Sequence, residues 1–120
     1  MTYANENSPS SVVINYVFAA HTNNAELFVR SIRTVDYRIM IVLFGEEEGV
    51  RFFMRRGTRA FLQDSPITDP DEIIIVSENI QGNTATVFIK DNPQPINLIK
   101  EEGEWRVNLE LCDAVRSILQ

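Results

Sequence analysis

Residues 103–111 read GEWRVNLEL, and their alternation is strict. Trp105, Val107, Leu109 and Leu111 fall on one side, with Arg106, Asn108 and Glu110 on the other. Side chains of a strand point alternately to its two faces, so the stretch predicts a strand with one buried face and one wetter face. The same period of two runs upstream and predicts strands over 72–80, 84–90 and 95–101. Turns at Gly82-Asn83, at 91–94 and at Glu102-Gly103 join them, the glycines supplying positive φ. An antiparallel sheet with one apolar face needs a cover, and the rest of the chain must provide it.

The first two-thirds of the chain supplies helices. Ser8 as N-cap and Pro9 at the first helical position start one that runs to Thr22. Val13, Tyr16, Val17 and Ala20 make one face of it, and Val12, Ile14 and Phe18 widen the arc, so this helix is expected to be covered on more than one side. A second, shorter helix reaches Arg33, with Leu27, Phe28 and Ile32 inward and Glu26 paired to Arg30 four residues on. Residues 34–44, TVDYRIMIVLF, are ambiguous. Val35, Ile39, Ile41 and Val42 favour a strand, but a short apolar run suits a buried helix too; a strand is the expectation. Glu46, Glu47 and Glu48 open a third helix, where carboxylates complement the dipole. Its stripe is Val50, Phe53, Met54, Ala60 and Phe61, with Gly57 expected at a close approach. The domain reading is a disordered segment 1–8, one α+β domain 9–112 and a short helical tail 113–120.

Two-residue turns fix the register. Lys100 then faces Trp105, Leu98 faces Val107 and Ile96 faces Leu109, with the lysine stem lying along the indole. Ile74, Val76, Ile80, Ala85, Val87 and Ile89 share a face in the earlier hairpin. Ile73, Ile75 and Phe88 fall on the opposite side with Ile99, more apolar area than a monomer leaves bare. These four residues are the expected interface of a homodimer formed through the sheet.

A net charge of −6 argues against binding to nucleic acid or to anionic lipid, which both need basic surface. The single cysteine, Cys112, cannot make an intrachain disulfide, and the polar start MTYANENSPS lacks the pattern of a signal peptide, so a cytoplasmic location is expected. No metal or cofactor is expected: the one histidine has no partner ligand near it, and no phosphate loop or nucleophile elbow appears. Arg51, Arg55, Arg56 and Arg59 read as a solvated helix face balanced by the three glutamates.

The order of elements, together with the runs VVINYVFAA, EEEGVRFF, GNTATVFI and INLIKEEGEWRV, resembles the nuclear transport factor 2-like superfamily, cystatin-like α+β cones, and in particular its uncharacterised small-domain branch. The resemblance covers residues 9 to 111. It implies N-terminal helices packed on a strongly curved antiparallel sheet, a pocket between the two, and frequent dimerisation through the sheet. One fold hosts many functions, so the pocket has to be argued from its residues. Tyr16, Phe53, Val87, Leu98, Trp105 and Val107 are its expected lining, suited to a small apolar ligand.

The resemblance also implies an enzymatic alternative, an isomerase-, dehydratase- or cyclase-like site with an acid-base residue. Tyr16 resembles the family's first-helix tyrosine, and Asn97 falls where the family carries an acidic oxyanion donor. The base position falls on Tyr37, one step after Asp36, and a tyrosine of ordinary pKa is a poor base near neutrality. Parity sends Asn97 to the face opposite Trp105. Tyr16, Asp36 and His21 are therefore the catalytic candidates, and a non-catalytic binding domain is the expected function.

Overall fold

The computed structural model describes residues 7–62, with side chains to 55, and residues 73–90 and 95–111. The disordered segment expected at the N-terminus falls almost wholly outside these residues. So do the turn at 91–94, Cys112, the tail 113–120 and the side chains of Arg56, Ala60 and Phe61.

Four helices precede four strands: α1 (Pro9–His21), α2 (Ala25–Ser31), α3 (Thr34–Phe44), α4 (Glu46–Leu62), β1 (Ile75–Gln81), β2 (Thr84–Ile89), β3 (Ile96–Glu101) and β4 (Glu104–Val107). The strands form one antiparallel sheet in the order β1-β2-β3-β4, and the helices pack against it. The architecture is α+β, as the sequence implies. The sheet is not strongly curled, which corrects the strongly curved sheet expected from the resemblance.

Local chemistry sets most boundaries. The Ser8 side chain accepts from the Ser11 N–H at 3.3 Å and caps α1 ahead of Pro9. Asn24 caps α2 through the Leu27 N–H at 3.1 Å, satisfying a donor that has no partner within the helix. Helix α1 is the centre of the packing. Val12, Val13, Tyr16, Val17 and Ala19 are buried on it, between the sheet on one side and α2 and α4 on the other. From the sheet, Ala85, Val87, Ile89, Leu98, Trp105 and Val107 complete the core, and Leu27, Phe28, Met40, Val50 and Met54 close it from the helical side. Each large side chain enclosed this way contributes roughly 1.5–3 kcal/mol.

The hairpin registers follow the two-residue turns. Glu101 pairs with Glu104, Lys100 with Trp105 and Leu98 with Val107, and the Lys100 ammonium sits 5.5 Å from the indole centre. Strand β4 stops at Val107, short of the alternation that continues in the sequence. In the β1–β2 hairpin, Gln81 pairs with Thr84 and Ser77 with Phe88, after which Ile75 rather than Val76 meets Ile89. Val76 is the extra residue of a β-bulge, so every side chain before it changes face. Ile73 and Ile75, expected on the outer face, pack against the core instead, while Ile74 and Val76 are exposed.

Residues 34–44 are a helix, not the expected strand. A strand would put Asp36, Arg38 and Met40 on one face, whereas the helix turns only Asp36 and Met40 inward. Tertiary partners override the β-branched preference of the run. Glu101 replaces the missing local cap: its carboxylate accepts from the Thr34 N–H at 3.1 Å and from the Thr34 hydroxyl at 2.9 Å. A tight turn at Gly45 leads into α4, which begins against α3. A Cβ at Gly49 would lie 2.3 Å from the Met40 carbonyl oxygen. Gly49 therefore sits at a close helix approach, the role expected of Gly57.

Candidate functional site

Of the catalytic candidates, Asp36 is 0% exposed in the first turn of α3. Its carboxylate is held from two directions. Arg33 donates from Nη2 to Oδ1 at 3.0 Å and from Nε to Oδ2 at 3.3 Å, a two-pronged contact of the kind guanidinium geometry favours. The chain leaving β4 donates the Leu109 N–H to Oδ2 at 2.8 Å and the Leu111 N–H to Oδ1 at 3.1 Å. Between these two amides Glu110 takes a positive φ of 58°, and its own N–H donates to Asn108 Oδ1 at 3.0 Å. Such a left-handed residue costs on the order of 1 kcal/mol. It turns the backbone so that both flanking N–H groups reach one carboxylate. Backbone pairing secures the same junction, where the Arg33 N–H donates to the Val107 carbonyl at 2.9 Å and Ile32 bridges to Val107.

Tyr16 lies in the same interior and stacks on Phe28 with ring centres 5.3 Å apart. Burial, and then the negative charge of Asp36, hold its phenol pKa well above the ordinary value, so it stays protonated near neutrality. His21 is exposed in the last turn of α1 and is not enclosed with them. Asn97 lies on the outer face opposite Thr86, as parity requires, where its amide donates to Glu110 Oε1 at 3.4 Å. Tyr37 is half-buried, and its hydroxyl donates to Glu46 Oε1 at 3.0 Å. That bond raises the pKa of the phenol further. Each Asp36 oxygen already accepts two donors from the fold, an arrangement that ties the start of α3 to the chain leaving β4 and spends the carboxylate doing so.

The expected ligand-binding set is brought together, but as packed core. Tyr16, Val87, Leu98, Trp105 and Val107 are all buried in one cluster, with Phe53 against it. None of the six lines the main concavity, a groove of about 590 Å³ between α2, α3 and α4. Its floor is Ala25, Val29, Val50 and Met54, and its rim carries Glu26, Glu46, Glu47 and Tyr37. At the rim Arg51 is tied to Glu47 and Glu26 to Arg30, each at 3.0 Å and largely exposed; the first pair belongs to the arginine face expected to be solvated, of which the Arg56 and Arg59 side chains lie outside the described residues. Among the described residues no group of histidine, cysteine and carboxylate ligands could hold a metal ion, and no helix is long and apolar enough to cross a membrane.

Among the described residues, exposed apolar side chains gather at two places, with Ile80 and Val35 exposed elsewhere. On the sheet, Ile74 (53%), Val76 (63%) and Phe88 (42%) lie outward. At the α3–α4 corner, Val42, Leu43, Phe44 and Phe52 are exposed, with the Phe44 and Phe52 rings 4.8 Å apart. The sequence reading missed the Asp36 junction, the groove and this corner. The Arg33–Asp36 spacing of three residues was the available signal for the first, and a glycine inside the helical run EEEGVRFF was the signal for the close approach below the corner. No family model, curated protein or solved structure matches the chain.

Proposed function

We propose that the protein is a non-catalytic binding domain that acts by associating with a protein partner, in the first instance a second copy of itself, through the outer face of β1 and β2. The observation that carries this is the chemistry of that face. Among the described residues it presents Ile74, Val76, Ser77, Asn79, Gln81, Thr84, Thr86 and Phe88, and its one charged side chain is Lys90, at the end of the hairpin opposite Ile74. The chain as a whole carries −6. With a single lysine at its end, two copies can meet over the rest of that face without bringing the chain's excess carboxylates together, and an isologous contact needs a self-complementary patch of this kind. Phe88 remains part of the interface expected from the sequence, Ile74 and Val76 take the places of Ile73 and Ile75, and the half-buried Ile99 lies toward the rim.

The finer family reading, a nuclear transport factor 2-like domain, belongs to the same proposal. It is supported by helices followed by a meander and by the turn sequences around Gly82 and Gly103. The enzymatic alternative, with Tyr16, Asp36 and His21, gains no support from a carboxylate already bonded on both oxygens.

Sedimentation velocity across a concentration series tests the association. The wild-type protein is expected to shift from monomer to dimer by about 100 μM, the range of modest interfaces. Phe88→Lys and Val76→Lys, both at exposed positions, are expected to remain monomeric and folded. A wild-type protein that stays monomeric throughout, or a lysine variant that dimerises equally well, overturns the proposal.

A further inference from the structure

We infer that the groove between α2, α3 and α4 is a binding site for a small amphipathic cation, an alkyl- or arylammonium whose apolar body lies on the floor and whose charge meets the rim. The inference is independent of the sheet-face association and uses different residues. Its volume of about 590 Å³ falls in the range of small-molecule sites. Val50 and Met54 are nearly enclosed at the bottom, Val29 is half-buried and Ala25 is exposed, so an apolar body lying along the floor covers the surface that Ala25 and Val29 leave in water.

The rim decides the sign of the ligand. Glu26, Glu46 and Glu47 line the groove with Arg51, and Glu26 is paired with Arg30 beside it. Arg51 is committed to Glu47. Glu46 accepts a hydrogen bond from the neutral Tyr37 hydroxyl, and among the described residues no cation stands within ion-pair distance of it. An anionic amphiphile would meet the Glu46 carboxylate with no cation to offset it, whereas an ammonium would complete the Glu46 site. Tyr37, on the same wall, adds an aromatic side chain of the kind that attracts ammonium groups. Acidic residues here arise from the α4 N-terminus, where they also suit the helix dipole. The apolar floor beneath them is what the dipole does not require.

The test is a titration of the full chain with n-octylammonium, followed by two-dimensional amide NMR. Saturable shifts are expected at Ala25, Val29, Tyr37 and Val50. n-Octanoate, of equal length and opposite charge, is expected to give no saturable shifts there. n-Butylammonium should bind at least about tenfold more weakly, since each methylene removed from water counts. The double variant Glu26→Gln/Glu46→Gln, exposed at both positions, should fold normally and lose about tenfold in affinity. The inference is overturned if octylammonium fails to saturate below about 10 mM, if its shifts fall outside the groove, if octanoate binds equally, or if the double variant binds like the wild type.

Discussion

The two halves of α3 make a useful contrast. The first half holds Thr34 and Asp36, both tied to the sheet or its exit, and the carboxylate is 0% exposed. The second half holds Val42, Leu43 and Phe44, and Val42 is 82% exposed. Hydrophobicity alone would exchange these positions. A charge is expensive to bury, but four convergent donors offset that cost, and no apolar side chain could join the two segments that meet at Asp36 in this way. The second half packs on α4, where Met40 enters the core beside Gly49, and leaves Val42, Leu43 and Phe44 exposed. Depth in this molecule follows what a side chain connects.

The largest expected effect is at the junction itself. Asp36→Ala removes the carboxylate that a mostly buried guanidinium and two amides donate to, and should cost about 3–5 kcal/mol. Urea unfolding measures it, and a loss below about 1 kcal/mol would remove the distinction between the two halves. Next is Gly49→Ala, whose methyl group meets the Met40 carbonyl. It should cost about 1–3 kcal/mol on the same assay, since backbone has to move to admit it.

The neighbour of the carboxylate gives a pH signature. The Tyr16 phenol pKa is raised in the folded protein by burial and by Asp36. Its contribution is fully present below the unfolded value of about 10 and is lost as pH rises above it, by up to about 1.4 kcal/mol per pH unit. Tyr16→Phe should flatten that alkaline slope of the stability curve, and an unchanged slope would place the titration elsewhere. The smallest effect belongs to the exposed half: Val42→Ser should alter stability by no more than about 0.5 kcal/mol. A larger loss would mean that this end of α3 is held as firmly as the first.

The sequence made the sheet legible because alternation and glycine turns are local signals. Trp105, Val107, Val87 and Leu98 could be assigned to one face before any packing was considered. The face of Ile73 and Ile75 could not, because one bulged residue at Val76 reverses parity without any glycine to announce it. The state of 34–44 was equally hidden. Its β-branched residues favour a strand, and the groups that make it a helix, Glu101 and the amides of Leu109 and Leu111, lie more than sixty residues away. Of the candidate site, Tyr16 and Asp36 were visible as residue types. That Asp36 is occupied by the fold depends on the Glu110 turn, which carries no glycine. The groove could not be foreseen without knowing that 34–44 is a helix, since α3 forms one of its walls.

Amide hydrogen exchange at Leu109 and Leu111 tests the central claim most directly, because a side-chain carboxylate is the acceptor for both. Strong protection of both amides in the wild-type protein is predicted, with selective loss of protection in Asp36→Ala measured under conditions where that variant remains folded. Rapid exchange of both in the wild type, at rates near those of an unstructured chain, would show that Asp36 does not hold the exit of β4 and would return its carboxylate to the list of free groups.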